Sequence, residues 1–525
     1  MPPQIQATQQ PIHHRRLGLG PATLAALLAA GAAVSQTQTQ QNQQTQQNVT
    51  PPAQTQRPAV TTPPARVTTP APATNANQTR NLLNNLFAPS SGTNNAATGR
   101  STTTTPATNP TATAIQRRAL TNGVQPANNP TNAPGLHVAS LNTNQATAGR
   151  AIQSRAFLGH PGPPGSTEKE TRNGSIVRTA ADGSVIDVRS PRNGMYIQHG
   201  VDGSRRIIVE QPDRSRIYAS SRGIQYVQHP YMFRGRAYDH RTFYVQGKTS
   251  HQVYRPYNYG GTTLDVYAPT RLYEPAMYQW ATSRFNAPQP FSWGYTNGAT
   301  PWYGYYKGYF TPDSSYSSPS SWLTDFVLAS SLMSSYASAP PTAQSSPANA
   351  APVTPEVKQK LAQEVDRQVR QESVEAQATA QNRDVSPGAG SVVQELSDRQ
   401  PHVLVVASDL DLVDPSGRRC MISEGDVVQV TSPPQPSSGT AQAVILSSKG
   451  GVECERAAQV EIAVADLQEM QNHMRETIDQ GLASTNAAKQ AKSVTPAYAE
   501  AAPPPDPNAA RELAQQQQIA AAAEG

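Results

Sequence analysis

The segment NGSIVRTAADGSVIDVRSPRNGMYIQHGVDGSRRIIVE (residues 173–210) is a series of short runs of β-forming residues, separated by Asn-Gly or Asp-Gly pairs. These pairs supply the positive φ angles that two-residue hairpin turns require. The runs alternate apolar and polar residues or are β-branched, which is typical of strands with one buried face. We therefore predict an antiparallel β-meander whose first strands are 175–178, 185–189, 195–199, 205–210, 216–219 and 224–228.

Aromatic residues are concentrated directly after this segment. Of the 32 Phe, Trp and Tyr residues, 27 lie between Tyr226 and Tyr336, including all four Trp. Proline and glycine are so dense over 254–310 that we expect aromatic-rich coil there. The meander needs an apolar partner, so the aromatic rings of this segment could cover it. Alternatively, the rings could stack on carbohydrate. The candidate ligand contacts are Trp280, Trp293, Trp302, Tyr303, Tyr306 and Arg255.

Two helices are predicted after the aromatic block. Residues 320–336 carry an apolar stripe at helical spacing and should close a β domain that spans 165–340. A linker over 341–353 leads to a charged helix over 354–382, capped by Thr354, whose apolar positions drift around the axis. We interpret this second helix as an exposed connecting arm, followed by a linker over 383–401.

Residues 402–481 are predicted to contain five short strands and a terminal helix. The sequence Gly425-Asp426-Val427-Val428-Gln429-Val430 follows a turn and fits the Gly-Asp-x-Val-x-Val strand of bacterial SH3-like β-barrels, which this unit resembles. The whole layout resembles exported bacterial proteins with a Tyr/Gly-rich β section and such a barrel at the C-terminal end. The resemblance to these barrels implies peptidoglycan binding, although the Gly-Trp-Val of wall-binding members is absent. The resemblance of the whole layout implies an architecture and no activity; contact of the barrel with an envelope protein is our own hypothesis.

Export is also indicated by the first 35 residues. A basic stretch, His13 to Arg16, precedes an apolar run over 17–34, which is typical of a signal peptide cut before Gln36. Retention of the run as a membrane anchor is the alternative, since 18 residues approach the spanning limit. After cleavage no membrane span is expected, and the product would occupy the periplasm or the cell surface. Residues 36–164 and 482–525 are predicted to be a disordered leader and a disordered tail.

The only two cysteines are Cys420 and Cys454, and both lie in the predicted barrel. They lack the close spacing of a redox motif, and Glu453 and Glu455 flank the second of them. In an exported chain two such cysteines form a structural disulfide.

Charge is distributed in blocks. Basic residues exceed acidic ones by 8 over residues 1–149 and by 9 over 150–260, whereas acidic residues exceed basic ones by 10 over 354–525. A basic front half suits anionic polymers such as wall polysaccharide or DNA, and binding of that kind would weaken steeply with salt. Ordinary solubility explains the same charges.

Three histidines, His229, His240 and His251, are spaced 11 residues apart. Equal spacing across hairpins would bring their rings to one edge, where three imidazoles and an open position suit a catalytic metal ion. An odd spacing reverses the strand face unless the turns compensate, and no Asp, Glu or Cys lies beside them at ligand spacing. We favour histidines on a repeated β surface, with no metal and no cofactor.

Recognisable catalytic motifs are absent from the sequence: it has no nucleophile elbow, no His-Glu-x-x-His, no phosphate loop and no dinucleotide fingerprint. We therefore predict a noncatalytic exported protein, mainly β with long disordered segments, that binds cell-envelope glycan or an envelope protein. A metal-dependent hydrolase on the β section and an exported binder of DNA or other anionic polymers are the alternatives. The oligomeric state stays open.

Overall fold

The computed structural model describes residues 163–245, 248–291, 301–338, 350–434, 436 and 439–524. The predicted signal peptide, nearly all of the predicted leader and Trp293 lie outside these residues. The strands are β1 (Thr167–Glu170), β2 (Ile176–Thr179), β3 (Val185–Ser190), β4 (Met195–His199), β5 (Arg205–Glu210), β6 (Arg216–Ser220), β7 (Tyr226–Phe233), β8 (Arg236–Val245), β9 (Lys248–Tyr259), β10 (Thr262–Ala268), β11 (Leu272–Tyr273), β12 (His402–Val405), β13 (Leu410–Val413), β14 (Arg419–Ile422), β15 (Val427–Val430), β16 (Thr440–Ser447), β17 (Gln459–Ala463) and β18 (Ser493–Val494).

The helices follow and interrupt these strands. They are α1 (Pro275–Ala281), α2 (Pro301–Tyr306), α3 (Pro319–Ser338), α4 (Pro355–Ala380), α5 (Val392–Glu395), α6 (Val464–Ser484), α7 (Asn486–Gln490), α8 (Ala497–Glu500) and α9 (Ala509–Glu524). No helix within the described ranges is long and apolar enough to cross a membrane.

The first ten strands form one antiparallel sheet in which every strand pairs with the next along the chain. The predicted meander is thus confirmed, and its six predicted runs correspond to β2–β7. Gly194 shows why the turns need glycine. Its φ is +59°, and a Cβ there would lie 2.2 Å from the carbonyl oxygen of Glu210 on the neighbouring strand.

The meander continues further than the sequence predicted. Coil was expected from residue 254 onward, whereas β9 runs to Tyr259 and β10 adds a tenth strand. Pro256 is accommodated because β9 pairs with β8 only as far as Tyr254. Beyond that residue β9 has one neighbour, β10, in which Asp265 lies opposite Pro256. Proline has no backbone N–H, but in this stretch no second strand needs that N–H as a hydrogen-bond donor.

One face of the sheet, here called the apolar face, is covered by α9. Its buried side chains are Val188, Met195, Ile197, Ile207, Val209, Ile217, Ala219 and Val227, which pack against Ala509, Leu513, Ala520 and Ala523 of the helix. The prediction of a disordered tail over 482–525 is therefore wrong for this segment. An isolated helix of 16 residues is marginal in water, and its small apolar stripe gains stability by covering the sheet.

The other face, here called the polar face, alternates aromatic and charged side chains and lies against α6. The largest core joins α6 to α3, α4 and the strands of the C-terminal unit. The interpretation of α4 as an exposed arm is wrong, because Val357, Leu361, Val365 and Val369 are all buried.

Three carboxylates of α4 are buried, those of Glu364, Glu372 and Glu375. Glu375 accepts hydrogen bonds from Arg255 at 3.0 Å and from Arg475 of α6 at 3.1 Å. The helix that was predicted over residues 320–336 to close the β domain is observed as α3.

The C-terminal unit contains a four-stranded antiparallel sheet in the order β12-β15-β16-β17 and a separate hairpin, β13–β14. The predicted disulfide is confirmed: Cys420 of β14 is bonded to Cys454, which is fully buried. The bond holds the loop after β16 against the hairpin. This unit packs next to the polar face and supplies part of the wall of the cavity described below.

Candidate ligand-binding cavity

A cavity of about 110 Å³ lies between the polar face of the sheet and helix α6. We call it the sheet–helix cavity. Strands β4–β9 form its floor, α6 forms one wall, and residues 407–410 of the C-terminal unit close another side. Aromatic and charged side chains share the floor.

The strand register explains why the aromatic side chains line up. Tyr196, Ile208, Tyr218, Tyr226 and Phe243 lie opposite one another on five successive strands, β4 to β8. We call this row the aromatic ladder. Tyr218 and Tyr226 stack with ring centroids 5.3 Å apart, and Phe243 meets Tyr226 edge-on at 5.6 Å. The ladder thus forms a continuous apolar strip across the cavity floor.

A second row runs beside the first, two residues further along each strand. Glu210, Arg216, Gln228 and Arg241 lie opposite one another on β5 to β8. We call this row the arginine ladder. Because side chains alternate across a strand, residues two apart point to the same face, so both rows lie on the cavity side of the sheet. Glu210, Arg216 and Arg241 of the second row line the cavity.

Arg241 is held rigidly at the centre of the floor. Its guanidinium donates to Gln228 at 2.6 Å, to Asp265 at 3.0 Å and to both oxygens of Glu469 at 2.6 and 2.7 Å. It also lies between two rings, 4.3 Å from the centroid of Tyr226 and 4.0 Å from that of Tyr254. Every part of this side chain is therefore fixed by a partner.

Two neighbouring arginines keep a donor available. Arg216 donates to Asp265 at 2.6 Å and to Glu210 at 3.3 Å, and Arg206 donates to Asp466 at 3.2 Å. Among the described residues, the Nε atoms of Arg206 and Arg216 are buried without a hydrogen-bond acceptor. A buried donor without an acceptor is costly, and a ligand oxygen would supply the missing bond.

The helix wall is acidic. Asp466, Glu469, His473 and Glu476 recur every three or four residues, which places them on one face of α6. Burial raises the pKa of Glu476 to about 7, although its hydrogen bond with the hydroxyl of Tyr254 and the nearby Arg241 act in the opposite direction. Burial also disfavours the charged form of His473 and therefore lowers the pKa of this ring to about 4, so the ring is neutral at physiological pH.

A more open cleft of about 460 Å³ adjoins the sheet–helix cavity at Tyr196, which lines both. The start of the sheet, including Asp187 and Gln198, forms one side of the cleft, and the hairpin β13–β14 forms the other. The two spaces together reach the size that small-molecule sites commonly have.

The structure places the candidate contacts from the sequence elsewhere. Trp302 is 0% exposed and Tyr306 is 6% exposed, since both belong to the core under α3. Arg255 is 4% exposed and forms an ion pair with Glu375. Trp280 and Tyr303 are partly buried against the same core, and none of these five lines the sheet–helix cavity. Trp302 and Tyr306 are buried too deeply to present a ring face to a polymer.

The three predicted histidines lie on one face of the sheet, on the side away from the cavity. His229 is directly opposite His240, and the ring centroids of His240 and His251 are 5.2 Å apart. The two-residue turn after β7 compensates the odd spacing in sequence. Two carboxylates that the sequence did not associate with them, Asp506 and Glu512, lie near His229 because α9 docks on this face.

No known protein family, no curated protein and no solved structure matches this chain. The chemistry of the two sites therefore has to be inferred from their own geometry.

Proposed function

We propose that this chain is an exported, noncatalytic envelope protein that binds a glycan in the sheet–helix cavity and the adjoining cleft. The observation that carries the proposal is the pair of parallel ladders on the cavity floor, one aromatic and one arginine-containing. A sugar ring has the matching two-sided chemistry, because its C–H face is apolar and its hydroxyls both donate and accept hydrogen bonds.

The aromatic ladder suits the apolar face of a sugar ring. Tyr218 and Tyr226 are stacked, with 9° between their ring planes and centroids 5.3 Å apart, so they hold each other in a fixed orientation. Rings held in this way bury area on binding with little loss of side-chain entropy, since their conformation is already fixed.

The charged residues suit hydroxyl groups better than they suit an anionic polymer. Arg206, Arg216 and Arg241 each have a carboxylate partner at the cavity, so donors and acceptors stand side by side. Each such pair offers a hydroxyl both an acceptor and a donor. A phosphate or DNA strand would instead meet the acidic wall of α6 and be repelled. The proposed ligand is therefore a neutral or weakly charged glycan.

The location and the role of the C-terminal unit belong to the same proposal. The signal-like start of the sequence and the disulfide between Cys420 and Cys454 are consistent with export to an oxidising compartment. We propose that the C-terminal strands are an SH3-like unit that contacts an envelope protein, while its hairpin forms one side of the glycan cleft.

The test is co-sedimentation of the full chain, processed as the cell exports it, with isolated cell-wall sacculi at low and high salt. Ala465→Trp places an indole at the rim of the cavity without removing any ladder residue, and Ala483→Trp on the same helix is the matched control, since Ala483 does not line the cavity. We expect salt-resistant pelleting of the wild type and of A483W, and at least a tenfold loss for A465W.

Two results would contradict the proposal. Equal pelleting of A465W and A483W would show that the cavity does not bind the glycan. Absence of pelleting at either salt concentration, with soluble wall fragments also failing to bind, would exclude wall glycan as the ligand.

A further inference from the structure

Three potential metal ligands meet on the apolar side of the sheet, where the chain enters α9. The Nε2 atom of His229 lies 3.4 Å from a carboxylate oxygen of Asp506 and 3.8 Å from one of Glu512. All three ligand atoms lie within 4.8 Å of one another. Ligand atoms around a tetrahedral zinc ion at about 2.0–2.2 Å are themselves about 3.3–3.6 Å apart. The separations of 3.4 and 3.8 Å from His229 are close to this range.

His229 is held with the correct nitrogen toward the carboxylates. Its Nδ1 atom is 3.2 Å from the hydroxyl of Ser215, and that hydroxyl donates to Asp213 at 3.0 Å. This chain of hydrogen bonds favours the tautomer with the proton on Nδ1 and leaves the Nε2 lone pair free. Metal-binding histidines are commonly oriented by a second partner of this kind.

Asp506 is also fixed in place. One carboxylate oxygen accepts from the backbone N–H of Asn508 at 2.8 Å, and the backbone N–H of Asp506 donates to the hydroxyl of Thr242 on β8 at 2.8 Å. The other oxygen faces His229. Two strands and the start of the helix thus converge on the same point.

The two carboxylates lie close to each other as well as to His229, since all three ligand atoms fall within 4.8 Å of one another. A divalent cation placed among them would interact favourably with both carboxylates.

His240 supplies an independent observation that points to a ligand at this place. It is 2% exposed and lies directly opposite His229. Its Nε2 atom is buried and has no hydrogen-bond partner among the residues that the structure describes. A buried ring nitrogen without a partner is uncommon in a packed protein, and beside three potential ligands it suits a role in coordination.

We propose that His229, Asp506 and Glu512 bind a divalent transition-metal ion, with His240 of the neighbouring strand as the fourth ligand, and that the ion fastens α9 to the sheet. Nitrogen and carboxylate ligands in fourfold arrangement favour Zn²⁺ over Ca²⁺ and Mg²⁺, which prefer more oxygen ligands. The site is on the opposite side of the sheet from the cavity, so its role is separate from glycan binding.

The experiment is calorimetric titration of the full chain, freed of metal by chelation, with ZnCl₂ at neutral pH. We expect one zinc ion per chain and a higher melting temperature with zinc. His229→Gln and Glu512→Gln should each weaken zinc binding at least tenfold. His199→Ala is the matched control, because His199 also pairs with a carboxylate of α9, Glu524 at 2.9 Å, but forms no ion pair with a second carboxylate in the described part of the chain.

Circular dichroism separates loss of binding from loss of folding, and Glu512→Gln preserves the size and shape of the side chain. Zinc binding that is absent, or that is unchanged in H229Q and E512Q while both remain folded, overturns the proposal. Competition by Mg²⁺ at equal concentration would overturn the assignment to a transition metal. An unchanged affinity in His240→Asn would overturn the assignment of the fourth ligand.

Discussion

Replacement of Glu375 by glutamine should destabilise the protein by about 3 kcal/mol, the lower end of the range for removing one partner of a buried ion pair. Glu375 is buried on α4 and accepts from two buried arginines, Arg255 at 3.0 Å and Arg475 at 3.1 Å. Glutamine keeps the size of the side chain but removes the charge that both guanidiniums face. The cost arises because two cations then remain out of water with less compensation.

The matched control is Arg370→Ala on the same helix. Arg370 pairs with Asp366 at 3.3 Å, but its side chain is 62% exposed, so the loss of this pair should cost less than about 1 kcal/mol. Urea unfolding followed by tryptophan fluorescence measures both variants, with the denaturant slope as a check that the unfolded state is unchanged. Equal stability losses for E375Q and R370A would refute the reasoning that burial sets the value of the Glu375 contacts.

Three further predictions concern stability. Replacing both Cys420 and Cys454 with alanine should lower the free energy of unfolding by about 4 kcal/mol, since the bond spans 34 residues; an unchanged urea midpoint would contradict this. Leu513→Ala should cost about 3 kcal/mol and speed amide exchange in the sheet beneath α9, whereas a free tail would show neither effect. The free energy of unfolding should fall by about 3 kcal/mol as the pH decreases from about 6.5 to about 4. Burial lowers the pKa of His473 to about 4 in the folded protein, so over this range the unfolded chain binds a proton that the folded protein does not. His473→Gln should flatten this part of the profile of stability against pH, and an unaltered profile in the variant would contradict the prediction.

The meander could be predicted from sequence because its signals are local. Each Asn-Gly or Asp-Gly pair fixes a turn, and the alternation between turns fixes the strands, so β2–β7 appear where the pattern places them. The end of β9, from Tyr254 to Tyr259, was predicted as coil because of the dense prolines and glycines that begin there, Pro256 among them. Its tolerance depends on where β8 stops pairing, which is a property of the assembled sheet and not of the sequence around the proline.

The sites were harder to predict because their residues converge from distant parts of the chain. The arginine ladder needs the register of four strands, and its acidic wall comes from α6, more than 200 residues later in the sequence than the first ladder residues. The alternation of Tyr and Arg from Tyr196 onward was a usable signal for a polar, aromatic face. Asp506 and Glu512 gave no such signal, because Asp506 lies in a proline-rich stretch before α9 and Glu512 lies in the Ala/Gln-rich sequence of the helix.

The docking of α9 has a consequence for the order of assembly. The strands of the sheet all precede residue 269, whereas the helix that covers their apolar side begins at residue 509. During synthesis, the apolar face of the sheet therefore stays uncovered by α9 until nearly all of the described chain has been made. A sheet that folds before α9 is made exposes its apolar face for that whole interval, and such a surface favours aggregation. We therefore expect a chaperone to bind this face of the nascent protein.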